Sequence, residues 1–364
     1  MQLVIEQLIS EVDDLSKVEG LTDEESEEIS SEYSITSYGA DYPVDGLVKR
    51  INEESIVIPQ FQRDFVWTIK QASRFVESLL LGLPVPGVFF SREQNSQKLL
   101  VIDGQQRLKT LQFFYGGVFT PTSRAFALSG LESRFEHFTY KTLLDEDRRR
   151  LDDAILHATV VKQDEPTNDD SSIYNIFERL NTGGTLLAPQ QIRASIYHGP
   201  FNDLLGELNK NSDWRSIFGA TNKYMRDQEL ILRFFALYYN AENYRQPMKG
   251  FLNSYMEANK TFKLQSSKEL TKIFDSTIEV INVCFEKQAF RPERALNAAV
   301  FDAVMIGLAN RLQLNDAVNF ELIKSQYEKL VQDSAFKAAT ERATSDETRV
   351  SQRLRLAKEA FSAV

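Results

Sequence analysis

Apolar and polar positions change period partway along this chain of 364 residues, and the change divides it. Between Tyr38 and about Gly184, strand-length apolar runs recur at Ser55 to Ile58, Gly87 to Ser91, Lys98 to Ile102 and Ala158 to Lys162. Segments of helical period separate them. One such segment places Ala72, Phe75, Val76, Leu79 and Leu80 on one face; Thr68 suits its N-cap and Gly82 stands where a C-cap belongs. From Pro189 onward no convincing strand appears. Pro189 is placed for the first turn of a helix, and Glu229 to Tyr239, Lys268 to Phe285, Ala295 to Leu312 and Phe320 to Phe336 have helix length and apolar stripes. The pattern predicts an α+β domain, a small mixed sheet with flanking helices, followed by an all-α helical domain. The expected divisions are a leader over 1–38, the mixed domain over 39–186 and the helical domain over 187–364.

The leader changes how the overall charge is read. The formal net charge is −10, yet residues 1–45 hold 13 acids and one base, Lys17, leaving 41 bases and 39 acids in the remainder. Net acidity is thus a property of the leader and does not exclude nucleic acid from a local basic groove. It does argue against a uniformly basic, nonspecific coat of phosphate contacts. The leader reads as a short amphipathic helix, Leu3 to Leu15, then the acidic run Thr22 to Glu28, a solvated and flexible arm. A tail that covers a basic site by mimicking DNA is the alternative reading of the same charges.

The densest candidate chemistry is Val101-Ile-Asp-Gly-Gln-Gln-Arg-Leu-Lys-Thr-Leu111, a strand that turns at Asp103-Gly104 and opens a helix. Gly104 permits the tight turn, and the N–H groups of Gln105 to Arg107 would face an anion at the helix start. Arg107, one turn in, can fork onto phosphate oxygens. Asp103 suits a magnesium ligand or a water-orienting base. A plain turn with a solvated arginine fits the same pattern, and local spacing does not separate the two.

Three motifs in order change that weighing: Ile58-Pro-Gln-Phe-Gln-Arg-Asp-Phe-Val-Trp67, Asp103-Gly-Gln-Gln-Arg107 and Phe177-Glu-Arg-Leu-Asn-Thr-Gly-Gly-Thr-Leu-Leu187. Together they resemble the GmrSD N-terminal family, the DGQQR-motif proteins of bacterial modification-dependent restriction. The resemblance runs from about Tyr38 to Tyr239 and takes in Arg226-Asp-Gln-Glu-Leu-Ile-Leu-Arg-Phe234. It implies a ParB/sulfiredoxin-like fold for the first domain, and the Gly104 to Arg107 spacing is similar to the phosphate box of that superfamily. It further implies that Gln62 and Arg63 line the same pocket as Arg107, with Asn181 and Arg193 as a second tier. Read from the residues alone, Phe61, Phe65 and Trp67 also fit a core, and Gly183 a simple helix end.

Absences narrow the chemistry. The chain holds no Gly-x-x-x-x-Gly-Lys-Ser/Thr loop and no Gly-x-Gly-x-x-Gly fingerprint. Three scattered histidines, His137, His157 and His198, do not propose a His-dependent metal nuclease, and one cysteine, Cys284, excludes a Cys/His zinc site and an internal disulfide. The start lacks a basic n-region and no apolar run reaches membrane-spanning length, so a soluble, cytoplasmic protein is expected, with no membrane partner. Arg148 to Arg150 sit among acids and are expected to form ion pairs along one helix.

The resemblance therefore implies a restriction or antiphage component whose DGQQR domain binds and hydrolyses a nucleoside triphosphate with Mg²⁺, coupled to recognition or cleavage of DNA, including modified DNA. Asp103 and Arg107 would carry the chemistry; Gly104 would shape the turn, and Gln105 and Gln106 would bond base or ribose. Two rival readings use the same pocket: a DNA-nicking phosphodiesterase, and a ParB-like noncatalytic switch that binds nucleotide or DNA. Some family members carry a separate His-containing nuclease domain; none is visible in this sequence, so cleavage would need the pocket itself, a partner nuclease subunit or a second copy.

Overall fold

The computed structural model describes residues 18–21, 34–58, 65–93, 96–165, 171–180, 187–314, 318–362 and 364. These form two compact units, one spanning residues 34–187 with Ala194–Ile196, the other 18–21 with Ala188–Arg193 and Tyr197–Val364.

After a two-residue strand β1 (Val18–Glu19), which belongs to the helical unit, the mixed unit opens with β2 (Ser34–Pro43), α1 (Val44–Asn52), β3 (Ile56–Val57) and α2 (Ile69–Leu80). It continues through β4 (Val88–Arg92), β5 (Leu99–Asp103) and α3 (Gln105–Gly116). A short hairpin, β6 (Val118–Phe119) and β7 (Arg124–Ala125), precedes α4 (Asp145–Asp152), β8 (Ile155–Glu165) and α5 (Ser171–Leu180). The sheet order is β2-β8-β4-β5-β3, antiparallel at β2/β8 and β4/β5 and parallel at β8/β4 and β5/β3. The expected small mixed sheet with flanking helices is present. The 10-residue β2 escaped the sequence reading because Ser, Thr, Gly and Pro dilute its pattern, and at the sheet edge only Tyr38, Ala40 and Tyr42 lean on the core.

Alternation fixes which face is covered. Leu156, Ala158 and Val160 of β8, Val88 and Phe90 of β4, and Leu99 and Val101 of β5 pack on Leu47 and Ile51 of α1 and Leu108 of α3. The reverse sides of α1 and α3, through Val44, Val48, Leu111 and Phe114, pack on α2 and Leu151 of α4. Helices α1 and α3 are thus a middle layer, which leaves little freedom in where α3 begins. Helix α2 starts at Thr68, whose hydroxyl accepts the Gln71 N–H at 3.3 Å while Gln71 returns a bond to the Thr68 N–H, a capping box. It stops before Gly82, at φ 71. The far end of α3 is held by Tyr115, whose hydroxyl donates to Asp152 at 2.6 Å. Tyr140 donates to the same carboxylate, and burial together with that bond pushes its phenol up to about 12. Arg148 pairs with Asp145 and Arg150 with Glu146 within α4, as expected.

The helical unit comprises α6 (Pro189–Ile196, whose last three residues fall in the mixed unit), α7 (Pro200–Leu208), α8 (Ser212–Phe218), α9 (Arg226–Asn240), α10 (Met248–Ala258) and α11 (Ser267–Phe285). It closes with β9 (Leu296–Asn297), α12 (Ala298–Leu312), α13 (Phe320–Gln332), α14 (Ser334–Glu341) and α15 (Glu347–Phe361). Helix α12 is apolar nearly all round and is the centre, packed by α9, α11 and α15. Two expectations change here. The Phe320 to Phe336 stretch is two helices, because Asp333 is extended at ψ 131 and its carboxylate caps Phe336 N–H at 2.8 Å. And β9 pairs parallel with β1, Val18 opposite Leu296, so a strand exists beyond Pro189; two residues are too few to leave a period. That pairing seats Val18 and Leu21 in this unit, within the span read as a flexible arm.

Candidate functional site

One rim of the sheet gathers the candidate groups. There β5 ends at Asp103, β4 begins after Gly87, β8 begins near His157, and β2 ends past Asp41, as the ladder directions require. Strand β3 runs parallel to β5 and stops at Val57, opposite Leu100.

Gly104 makes the turn into α3 at φ 101, a conformation that L side chains rarely adopt. A Cβ on it would also lie 2.4 Å from Val88 Cγ1, so sterics and backbone both demand glycine. Gly104→Ala is therefore expected to cost about 2–4 kcal/mol of stability, read as a lower urea midpoint at unchanged slope.

Arg107 then projects from the first turn of α3 back to the sheet. Its Nη2 donates to Asp103 Oδ2 at 2.8 Å and its Nη1 to the Gly87 carbonyl at 2.5 Å. The guanidinium is 13% exposed and Asp103 52% exposed, so a carboxylate at the rim and a backbone carbonyl hold a largely sheltered cation in one orientation. A guanidinium has five N–H donors; two such bonds leave others for an anion. Of Asp103, only Oδ2 is engaged by that pair. An exposed single carboxylate fits a magnesium ion that shares its ligands with substrate phosphates, and does not fit an all-protein cage. No group of three or more His, Cys, Asp or Glu side chains that could hold a metal exists among the described residues.

The two glutamines differ. Gln105 is buried, 8% exposed. Gln106 Oε1 accepts the N–H groups of Val66 at 3.0 Å and Trp67 at 3.2 Å, which fastens the chain after the first motif to the start of α3. Phe65 packs edge-on against Phe113 and Phe119, and Trp67 against Phe75, so these aromatics are core in part. Gln62, Arg63 and Asn181 lie outside the described residues.

Arg193 is placed in the helical unit, 1% exposed, with Asn253 Oδ1 at 2.8 Å, Gln190 Oε1 at 3.2 Å and Glu229 Oε2 at 3.3 Å. The Arg226 to Phe234 stretch is spent in the same way. Asp227 takes Arg215 at 3.0 Å and Asn209 at 3.0 Å, Glu229 takes Arg193, and Arg233 takes Asp302 at 2.7 Å. These are packing hubs of the helical unit, and their buried ion pairs account for Asp227, Glu229 and Arg233 of that stretch.

The sequence reading passed over Asp41 and His157. His157 alternates with buried Leu156 and Ala158, so it faces away from the middle helices, and its Nδ1 lies 2.6 Å from Asp41 Oδ1. Separated by 116 positions, the two offered no spacing signal; only the β2/β8 register sets them opposite each other.

Residues 44–198 match the model of the GmrSD restriction endonuclease, N-terminal domain. The match takes in α1 through α6, and with them Asp103 to Arg107 and His157. The chain is also similar to an uncharacterised protein, MJ0686, of Methanocaldococcus jannaschii, at 30% identity over 125 residues. That match covers 28% of this chain and spans about a fifth, 20%, of the relative's length.

Proposed function

We propose, on the premise that residues 44–198 belong to the GmrSD restriction endonuclease N-terminal domain family, that this protein is a restriction-type defence component whose first domain hydrolyses a nucleoside triphosphate in response to DNA. The observation that carries the reading is the Arg107 guanidinium, fixed by Asp103 and the Gly87 carbonyl beside the glycine turn that opens α3. A fixed cation with donors to spare stabilises charge on a transferring phosphoryl group without first being reorganised.

The residues divide the work. Gly104 lets the backbone turn closely under a phosphate, and Arg107 binds the phosphoryl oxygens through its remaining N–H groups. Asp103 orients that guanidinium. Magnesium arriving with the nucleotide would be held by Asp103 and would neutralise phosphate charge. Gln106 links the pocket to Val66 and Trp67, so occupancy would be felt by the chain after the first motif, whose Gln62 and Arg63 are assigned by resemblance alone to the same pocket. Gln105 keeps the role of a base or ribose contact only if its buried amide turns outward. DNA, modified or not, is the expected effector, and strand cleavage is assigned to a separate nuclease subunit or a second copy.

The same Gln106 tether favours one further reading, a noncatalytic switch in which nucleotide binding alone repositions that chain segment. Phosphate release by wild type with Mg²⁺ and each of the four ribonucleotides, with and without plasmid DNA, separates them. Turnover that DNA alters supports the hydrolase; tight nucleotide binding with no release selects the switch. Nicking of supercoiled plasmid by the protein alone would instead favour a phosphodiesterase at this pocket.

A further inference from the structure

Two cations of the helical unit, Lys223 in the loop that joins α8 to α9 and Arg226 at the first position of α9, rest on an aromatic ring instead of an acid. Lys223 Nζ lies 4.9 Å and Arg226 Cζ 5.8 Å from the centroid of Tyr224. At such distances each is drawn to the ring's π-electrons while keeping its charge available. Among the described residues neither forms an ion pair, whereas Asp227, the next residue, gives its carboxylate to Arg215 at 3.0 Å. A chain of net charge −10 thus holds two uncompensated cations around one ring.

The loop is built to present them. Asn222 Oδ1 accepts the Tyr224 N–H at 2.9 Å, its carbonyl accepts the Met225 N–H at 2.9 Å, and its own N–H donates to Asp227 Oδ2 at 3.2 Å. Met225, at φ 57, is buried, while Lys223 and Tyr224 stay exposed. Gln191, buried on α6, donates its Nε2 to the Lys223 carbonyl at 2.9 Å and fastens the loop to that helix. Tyr224 is the exposed tyrosine among the described residues. The hydroxyls of Tyr115, Tyr239 and Tyr255 are spent on Asp152, Glu269 and Gln265; that of Tyr224 has no such partner among the described residues. The start of α9 is not itself the attraction, because Asp227 accepts the Gln228 N–H at 3.1 Å and sets its own charge there.

We propose that Lys223, Tyr224 and Arg226 bind the phosphate backbone of duplex DNA. The inference rests on the DNA arm of the reading above and names where the helical unit meets that effector. Lysine, arginine and tyrosine side chains turned to solvent are groups that position a protein on DNA phosphates. Both cations lie within 6 Å of one centroid, so they are no more than about 11 Å apart, and a duplex carries a phosphate charge every ~1.7 Å of its axis. The shared ring holds both side chains ready, which reduces the ordering cost of binding, and the guanidinium can fork onto phosphate oxygens. The ring serves cations and not a stacked base, which favours a duplex backbone over a single strand. Contacts of this kind orient DNA without reading its sequence.

The test is fluorescence anisotropy of a short fluorescein-labelled DNA duplex titrated with the whole chain between about 50 and 200 mM salt. Lys223→Gln and Arg226→Gln should each reduce the slope of log K against log salt by about 1, and the double variant by about 2, with affinity at low salt down about 3–10-fold per cation. Tyr224→Phe should weaken binding a few-fold at unchanged slope, since the hydroxyl carries no charge. Lys210→Gln removes a lysine already paired with Glu207 at 2.7 Å and should leave the slope as in wild type. A loop merely held together by these side chains would instead lower the urea midpoint and leave the slope alone, which overturns the assignment. Wild-type slope and affinity in the double variant, or tighter binding of a single-stranded RNA than of the duplex, overturns it too. None of these results touches the hydrolase reading, which stands or falls on phosphate release.

Discussion

Arg107→Ala is expected to reduce kcat for phosphate release by about 10²–10³-fold, the usual cost of losing one preorganised donor to a transition-state oxyanion. The fold should tolerate the change. Arg107 joins α3 to the sheet through the Gly87 carbonyl and Asp103, and losing such bonds costs about 1–2 kcal/mol. Helix α3 keeps its place in the middle layer through Leu108, Leu111 and Phe114. Arg107→Lys should recover little, because one ammonium cannot hold Asp103 and the Gly87 carbonyl and still present a planar fork to phosphate. Asp103→Asn should be milder: an amide oxygen still accepts from Nη2, but the charge that would meet magnesium is gone, so the loss should shrink at high Mg²⁺. A folded Arg107→Ala protein with wild-type turnover would falsify the role given to this residue.

The mixed unit was legible where local chemistry and tertiary structure agree. Thr68 caps α2, Gly82 ends it, and Gly104 makes the tight turn the sequence implied; its close contact with Val88 is visible only in the structure. What escaped was set by partners distant in sequence. Strand β2 has only a diluted apolar rhythm, Tyr38, Ala40 and Tyr42, and is held by β8, which pairs with it along its length. Asp41 and His157 become a pair only through that register. Arg193 reads as a cation available to a ligand until Glu229, contributed by another helix, is seen to take it up. Gln106 reads as a ligand contact from its place in the motif, and its side-chain oxygen is found on Val66 and Trp67, 40 and 39 positions away. A motif names the residues a fold needs in one place; it does not distinguish those that touch substrate from those that hold the pocket together.

Asp302→Ala should produce a large loss of stability, about 3–5 kcal/mol, for a reason specific to its partners. Asp302 Oδ2 accepts Arg233 Nη2 at 2.7 Å and Arg353 Nη2 at 2.8 Å, and Oδ1 accepts Arg233 Nε at 3.1 Å. Asp302 and Arg353 are wholly buried and Arg233 nearly so, and the triad ties α9, α12 and α15 together. Burial pushes the Asp302 carboxyl upward, yet the charges and hydrogen bonds of the two guanidiniums outweigh it and hold it below the usual carboxylate range. A folded-state value below the unfolded one makes this contribution full above about pH 4 and lost as pH falls through the folded value, so the difference between wild type and variant should narrow in acid. Alanine removes the anion that the two buried guanidiniums share. The triple change Arg233→Met, Asp302→Leu and Arg353→Met removes the guanidiniums as well, and should lie within about 1–2 kcal/mol of wild type. Urea unfolding at neutral pH orders the three proteins, and the single variant less stable than the triple is the required result. A single variant within about 1 kcal/mol of wild type would mean that water reaches the guanidiniums once the carboxylate is gone, which a core closed around them does not allow.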